Sequence, residues 1–181
     1  IVKKPIKIDL HIHSVFSNHK DGKKVAFNTT DNIPVLVSKM KQKGVEMCAI
    51  TDHDRFDFKI YKALKEHEGK ELLKVLPGVE FSVNFDGKNI IHIVTIFDDK
   101  DDKKLKNLEQ IFNDGIGKEQ YIDNAYSRET YFAILRAINI DFVMIAHQKK
   151  TPTSVQKPHK SDVMCLGRET FNELLFMEYF D

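Results

Sequence analysis

The stretch "IKIDLHIH", residues 6–13, decides the fold that the sequence predicts. Apolar and polar side chains alternate along it with the two-residue period of a β-strand that buries one face. The apolar face comprises Ile6, Ile8, Leu10 and Ile12, and the polar face comprises Asp9, His11 and His13. The pattern predicts a first strand that packs on one side and presents two histidines together on the other.

Short apolar runs alternate with helix-like stretches along the rest of the chain. Further strands are predicted at residues 45–53, 72–83, 89–97 and 140–148, and helices at 31–44, 58–70, 103–112, 128–138 and 169–179. Asp86-Gly87 predicts a hairpin turn between two of these strands. The repeated alternation of strand and helix favours an α/β fold with a mostly parallel sheet.

Composition excludes several classes of protein. The 181 residues carry 28 basic and 27 acidic side chains, so the net charge of +1 gives no strong attraction of the whole molecule to nucleic acid or anionic membranes. No apolar run reaches the roughly 18 residues of a membrane span. Cys48 and Cys165 are the only cysteines, which predicts a cytoplasmic protein without a disulfide framework and a buried thiol at Cys48.

Candidate ligands fall where the predicted strands end. His11 and His13 end the first strand, His53 ends the second, Glu80 lies late in the third, and His147 ends a later one. The carboxyl ends of the strands in a parallel α/β barrel all open on one face. We therefore expect these side chains, which are far apart in sequence, to converge in space.

The residue types at these positions suit a metal ion. His11 and His13 lie two apart, so both imidazoles share one face of a strand, and neutral imidazole is a common ligand for zinc and similar ions. Glu80 stands between Val79 and Phe81, and a carboxylate in such a strand is rarely buried unless it is paired or bound to metal. A carboxylate can also bridge two ions.

Two other histidines are ambiguous by themselves. His92 and His147 are each flanked by apolar residues, and either alone is as often a structural core residue as a ligand. Together with the earlier set they favour a metal centre. In "TDHD", residues 51–54, His53 shares a face with Thr51, while Asp54 is also typical of a residue that starts the next helix.

The ordered motifs resemble those of the PHP (polymerase and histidinol phosphatase) superfamily. They are "DLHIHS", "TDHD", "PGVE", the later His92 and "AHQ", and they extend from Asp9 to His147. The resemblance implies a distorted (β/α)7-type barrel that binds two or three divalent metal ions, commonly zinc, manganese or iron. It also implies hydrolysis of phosphoester bonds.

The resemblance also implies particular roles for the site residues. His11 and His13 would hold one metal, Glu80 would bridge it to a second metal held by His92 and His147, and His19 with His53 would hold a third. The catalytic set implied in this way is His11, His13, His53, Glu80 and His147. Asp9 and Asp52 would orient the ligands.

The sequence departs from the family in one respect. The family closes its site with an Asp-x-His near the last strand, and no such motif follows His147. Together with the missing initial Met, this predicts one domain over residues 1–181 that is incomplete at its C-terminal end and forms the N-terminal part of a longer protein.

The predicted function is that of a metal-dependent phosphoesterase. Its partner would be a phosphoester substrate, including nucleic acid if the domain is nuclease-like, with an ATPase or polymerase-type domain fused beyond residue 181, and no membrane. Three alternatives stay open: a small-molecule phosphatase of the histidinol-phosphate type, an amidohydrolase, which also begins with His-x-His on a barrel strand, and a degenerate PHP scaffold without activity.

Overall fold

The computed structural model describes residues 5–84, 90–113, 121–122, 124–147 and 176–178. Eight strands form one sheet: β1 Lys7–Ile12, β2 Val45–Ile50, β3 Lys74–Asn84, β4 Ile90–Phe97, β5 Tyr121–Ile122, β6 Ala125–Ser127, β7 Phe142–His147 and β8 Phe176–Glu178. The α-helices are α1 Asn18–Asp21, α2 Ile33–Gln42, α3 Phe58–Lys65, α4 Asp102–Asn113 and α5 Arg128–Ile138.

The main path of the sheet has the order β1-β2-β3-β4-β7-β8. The pairs β1–β2, β2–β3 and β7–β8 are parallel, whereas β4 pairs antiparallel with both β3 and β7. The strand β4 therefore runs against the other five. The class predicted from the sequence, α/β with a mostly parallel sheet, is confirmed, but within the described residues β1 and β8 do not pair and the sheet is not closed.

Local sequence explains where the helices begin and end. The carboxylate of Asp57 accepts the N–H of Ile60 at 2.8 Å and starts α3, and the hydroxyl of Ser127 accepts the N–H of Thr130 at 3.1 Å and starts α5. Helix α5 ends before Asn139, which adopts the left-handed conformation with φ 50°. Its bounds are those that the sequence predicts.

One other predicted element is wrong in part, and one lies outside the described residues. The helix predicted at 169–179 is wrong over Phe176–Glu178, which form β8. Its helix-like periodicity is outweighed by the backbone hydrogen bonds available along β7. The turn predicted at Asp86-Gly87 lies outside the described residues, although the strands on either side of it pair antiparallel. Among the described residues, no helix is long and apolar enough to cross a membrane.

The sheet has an apolar cluster on each face. The larger one packs against the helices and includes Val79, Phe81 and Ile93, whose side chains are 1% exposed or less. Cys48 belongs to it and is a free buried thiol, as the sequence predicts. The smaller cluster lies on the opposite face and consists of Ala49, Val94, Ile96 and Ile145, with Leu10 and Leu76 against it.

A bulge in β1 corrects the predicted strand pattern. The register of β1 with β2 shifts between Asp9 and Ile12, and the N–H of His11 donates to the Asp9 carboxylate at 3.3 Å. Leu10 consequently packs on the smaller cluster and Ile12 on the larger one. The prediction that both share one face is wrong, because one extra residue reverses the alternation.

The prediction that β1 buries its apolar residues is also wrong at its beginning. Ile6 is 39% exposed and Ile8 is 51% exposed. Within the described residues β1 is an edge strand of the sheet, with β2 as its only partner. An edge strand has a neighbour to pack against on one side only, which leaves part of its apolar surface exposed.

Candidate metal centre

The carboxylate of Glu80 is the centre of a group of histidines. Glu80 is fully buried on β3. Its Oε2 lies 3.0 Å from His11 Nε2, 2.8 Å from His13 Nε2 and 3.1 Å from His53 Nδ1. Its Oε1 lies 2.7 Å from His92 Nδ1. Four imidazoles from three chain segments therefore meet at one carboxylate.

Strand direction explains this convergence. His11 lies in β1, His53 follows β2 and bridges to Glu80, and Glu80 lies late in β3. His92 lies near the start of β4, opposite Ser82. Because β4 runs against its neighbours, its beginning meets the same edge of the sheet at which β1 to β3 end.

His147 joins this edge through its backbone. It is the last residue of β7 and pairs with His92. Its side chain lies outside the described part of the structure, so its role as a ligand stays a prediction.

A second carboxylate enters the site from the last residue of α1, the short helix that follows β1. Oδ2 of Asp21 lies 2.5 Å from His13 Nδ1 and 3.8 Å from His53 Nε2. Asp21 is absent from the residues predicted from the sequence. The signal that could have identified it is an acidic residue, followed by Gly22, in the loop that comes directly after the His-x-His pair.

His19, which the resemblance makes a ligand, lies apart from these residues. Its side chain is exposed, its ring centre is 6.5 Å from that of His53, and its Nδ1 is 3.3 Å from the carbonyl oxygen of Phe16. His19 and Asp21 both belong to α1. Residues two apart on a helix point about 200° apart, so the turn that directs Asp21 toward His13 directs His19 away.

Three sets of ligand atoms lie close enough to hold an ion. In each set the atoms are within 4.8 Å of one another. The sets are His11, His13 and Glu80; His13, Asp21 and His53; and His53, Glu80 and His92. They overlap at His13, His53 and Glu80. A carboxylate such as Glu80 can be shared by two ions, whereas one neutral imidazole offers a lone pair to a single ion.

The donor atoms are packed more densely than hydrogen bonds alone would require. His11 Nε2 and His13 Nε2 are 2.9 Å apart while both face one oxygen of Glu80. His53 Nδ1 is buried within ion-pair distance of Glu80, yet it makes no hydrogen bond to any described residue. Imidazole nitrogens and carboxylate oxygens are the ligands that zinc, manganese and iron use, so the residues present fit a metal centre.

His13 and His53 both lie near Glu80 and Asp21, but their pKa values shift in opposite directions. Burial lowers the pKa of His53 to about 3 against the opposing charge of Glu80, so its ring is neutral near neutral pH and can offer a lone pair. Burial also lowers the pKa of His13, but the hydrogen bond to Glu80 and the charge of Glu80 outweigh it and raise that pKa above 6.5. A metal ion would have to compete with a proton at His13.

A buried network supports the loop that carries His53. Asp52 accepts the Ser14 N–H at 2.6 Å, the Ser14 hydroxyl at 2.5 Å and the Ser17 hydroxyl at 2.7 Å. The Ser17 oxygen in turn accepts the N–H of His53 at 2.9 Å. Burial raises the pKa of Asp52 while these hydrogen bonds oppose the rise. Asp52 thus fixes the residues around the site rather than joining it.

Gly78 forms the floor beneath Glu80. A Cβ atom at this position would lie 2.7 Å from Thr51 Cγ2, 2.8 Å from Ile96 Cδ1 and 3.0 Å from the carbonyl oxygen of Thr95. Gly78 and Glu80 are two apart on β3 and share a face. The absence of a side chain at Gly78 therefore lets β2 and β4 close tightly below the carboxylate.

Comparison with known proteins identifies one family and two solved structures with a similar fold. The PHP domain family matches residues 9–157, which is more than half of the chain. No curated protein sequence matches the chain.

One similar solved structure is a candidate metal-dependent phosphoesterase from Bifidobacterium adolescentis. It has 14% identity and a TM-score of 0.55, and the match covers 97% of this chain and 78% of that one. Another is an amidohydrolase from Chromobacterium violaceum with bound sulfate and no metal. It has 14% identity and a TM-score of 0.52, over 94% and 76% of the two chains. At this identity the likeness concerns the fold alone.

Proposed function

Because the chain belongs to the PHP domain family, we propose that it is a hydrolase that cleaves phosphoester bonds with two or three divalent metal ions. The observation that carries this proposal is the buried Glu80 carboxylate with imidazole nitrogens of His11, His13, His53 and His92 within 3.1 Å of its oxygens. Membership of the family and the three sets of ligand atoms support a metal-dependent hydrolase, and the phosphoester is the proposed substrate class.

The residues divide into three places for ions. His11 and His13 with Glu80 would hold one ion, and His92 with Glu80 and His147 a second. Asp21 with His53 would hold a third, in the place that the resemblance gives to His19 with His53. Zinc, manganese and iron all suit this mixture of imidazole and carboxylate.

When bound, such ions polarise phosphoryl oxygens and lower the pKa of water. The chain itself supplies the positions. Glu80 extends one oxygen toward His11 and His13 and the other toward His92, so it can bridge two ions. His53 stays neutral near pH 7 because burial lowers its pKa to about 3. No nucleophilic side chain is required.

The same proposal extends to the whole molecule. We infer that residues 1–181 form one domain related to the distorted (β/α)7-type barrel. The small number of cysteines favours a cytoplasmic location. Nucleic acid is one substrate to test, and an ATPase or polymerase-type domain is the partner class that the family suggests.

The test is a purified chain supplied with Mn²⁺, Zn²⁺ or Fe²⁺. Bound metal is measured by elemental analysis, and hydrolysis is followed with a phosphodiester, a phosphomonoester and an anilide of similar leaving group. We expect bound metal and phosphoester hydrolysis that a chelator abolishes and added metal restores. Glu80→Gln should lose both, whereas Glu129→Gln, an exposed matched control, should lose neither.

The outcomes separate the alternatives. Hydrolysis of the anilide alone would favour an amidohydrolase, and hydrolysis of the monoester alone would favour a small-molecule phosphatase. A chain that binds metal and hydrolyses none of the three substrates would favour a scaffold. A chain that binds no metal would contradict the proposal as a whole.

A further inference from the structure

An ion pair borders the candidate metal centre without belonging to it. Nζ of Lys20 lies 2.6 Å from Oδ2 of Asp54, and it also contacts the Ser82 hydroxyl and, at 3.4 Å, the carbonyl oxygen of Asn124. The side chain of Lys20 is 19% exposed and that of Asp54 is 4% exposed. The pair is therefore largely withdrawn from water, where charge interactions are screened less than on the surface.

The position of this pair in the sequence matters. Lys20 directly precedes Asp21, and Asp54 directly follows His53. Asp21 and His53 are two of the three members of one candidate metal group, in which their atoms are 3.8 Å apart. The ion pair therefore joins the same two chain segments, one residue along from the ligands that must meet.

Asp54 is fixed firmly to the strand that carries Glu80. Its N–H donates to the carbonyl oxygen of Glu80 at 2.9 Å, and its Oδ1 accepts the N–H of Ser82 at 2.6 Å. Asp54 also has φ 52°, in the left-handed region that residues other than glycine seldom adopt. Such a conformation persists where the surroundings hold it in place, and here they aim Oδ2 at Lys20.

The other end of the pair has little intrinsic rigidity. Helix α1 has only four residues, Asn18–Asp21, and its N-cap Ser17 makes no side-chain capping hydrogen bond. A helix this short is not stable by its own hydrogen bonds. Gly22, with φ 60°, follows directly. The Asp21 carboxylate thus depends on tertiary contacts to stay at the site, and Lys20 makes contacts with β3 and with Asp54.

We propose that Lys20 and Asp54 form a positioning latch that holds the Asp21 carboxylate against His13 and His53, so that occupancy of this one metal group depends on two residues that do not bind the ion. The inference rests on the proposed metal-binding function. The other two candidate groups take Glu80 with His11 and Glu80 with His92 from strands, so they do not depend on the latch. Loss of the latch should therefore weaken one ion and leave the others bound.

The test measures metal binding by the full chain. Lys20→Met removes the charge and keeps the stem, and Asp54→Asn removes the charge and suits the left-handed backbone. Titration with Mn²⁺ or Co²⁺, followed by calorimetry and by Co²⁺ absorption, gives the affinity of each ion. We expect one ion to bind about 10–100-fold more weakly in either variant, the range found when a residue behind a ligand is removed.

Three further variants make the result specific. Asp21→Asn identifies the ion that the latch should affect, because it removes the ligand itself. Lys20→Arg should restore most of the affinity that Lys20→Met loses. Lys62→Met, which breaks the exposed ion pair of Lys62 with Asp102 at 3.0 Å, is the matched control and should change no metal affinity.

The double variant tests whether the two residues act as one unit. Lys20→Met with Asp54→Asn should cost no more affinity than the worse single variant, because each single change already opens the latch. Unchanged affinity for every ion in Lys20→Met would overturn the proposal. So would equal weakening of all ions accompanied by a lower melting temperature, since that is a general loss of stability. A native chain that binds no metal would overturn the proposed function, and the latch with it.

Discussion

The two ends of β3 carry two polar clusters of opposite character. At its beginning, Asp99 lies 2.5 Å from Nζ of Lys74 and also contacts Lys65, while Glu68 lies 2.6 Å from Lys65. Near its other end, Glu80 lies within 3.1 Å of four imidazole nitrogens. The acidic groups of the first cluster pair with lysine ammonium groups, whereas the carboxylate of Glu80 pairs with imidazoles.

The difference teaches what makes a cluster able to hold metal. A lysine ammonium has three N–H donors and no lone pair, so it neutralises a carboxylate and closes the site to other cations. A neutral imidazole keeps a lone pair that can bind an ion. We therefore regard the first cluster, Lys65, Glu68, Lys74 and Asp99, as a structural ion-pair network and the Glu80 cluster as the candidate metal centre.

The largest effect should come from Glu80 itself. Glu80→Gln removes the carboxylate shared by two metal groups, and we expect metal affinity to fall by more than about 100-fold, beyond the 10–100-fold cost of losing a residue behind a ligand. Elemental analysis after dialysis measures the loss. Retention of the full metal content in this variant would remove the distinction between the two ends of β3.

The two clusters should respond differently to a fall in pH. The pKa of His13 is raised above 6.5 in the folded protein, so its proton competes with metal below that pKa, and affinity should fall by about tenfold for each pH unit of further acidification. In the metal-free chain the same raised pKa stabilises the fold below 6.5, and this contribution is lost as the pH rises through the folded pKa.

The ion-pair network responds with the opposite sign. Despite the opposing effect of burial, hydrogen bonds from Lys65 and Lys74 lower the pKa of Asp99, and one from Lys65 lowers that of Glu68. Their contribution is present above the ordinary values of 3.8 and 4.5 and is lost as the pH falls through the lowered values. As the pH falls one unit below 6.5, the chain should stay folded by circular dichroism while its metal affinity falls by about tenfold, and simultaneous loss of fold and metal would contradict this.

Gly78→Ala should damage the floor of the metal centre. The new Cβ would lie 2.7 Å from Thr51 Cγ2 and 2.8 Å from Ile96 Cδ1, and overpacking of this kind typically costs about 1–3 kcal/mol of the free energy of unfolding. Urea denaturation measures the loss. Gly69→Ala, at a glycine with no atom near the added Cβ but φ 75°, is the control for backbone strain, and equal losses would show that the floor is not tightly packed.

A smaller effect is expected from the ion-pair network. Asp99→Asn should lower the free energy of unfolding by about 0.5–1.5 kcal/mol, the net worth of a typical intramolecular hydrogen bond, because the amide loses the charge and keeps one oxygen acceptor. It should leave the metal content unchanged. Thermal unfolding and elemental analysis of one preparation give both values. Loss of metal in this variant would mean that the two ends of β3 are coupled.

The smallest effect should be that of His19→Ala. The side chain is exposed and lies outside the three sets of ligand atoms, so we expect a change in metal affinity of less than about twofold, within the scatter of surface substitutions. Asp21→Asn, two residues away, should weaken one ion far more. The reverse order would return His19 to the site in place of Asp21.

These contrasts also show what the sequence could predict. The Glu80 cluster follows from strand periodicity and from the rule that neighbouring strands end at one edge, because both depend on local pattern. Asp21 does not follow, since its direction depends on a single turn of helix whose phase is set by contacts with distant residues. The family's spacing of six residues after His13 favours His19 because spacing counts residues and carries no information on this rotation; the role of His19 as a ligand stays a prediction.

The fold shows the same division. The strands β1 to β4 and β7 could be predicted from apolar runs and the ends of α5 from its caps, as Ser127 and Asn139 illustrate. The bulge between Asp9 and Ile12 could not be predicted, because it arises from the pairing of β1 with β2. The strand β8 was missed for a similar reason: its three residues gain their partners from β7.

The bulge in β1 should let this strand tolerate the deletion of one residue. Elsewhere in a strand, deletion of one residue turns every later side chain to the other face. Here Leu10 packs against the smaller cluster, which contains Val94, and His11 reaches Glu80, which pairs with Val94. Two consecutive residues therefore lie on the same face. A deletion of Leu10 would therefore remove an apolar contact and leave both histidines directed at Glu80, so the metal centre could survive a change of length that would destroy it in a regular strand.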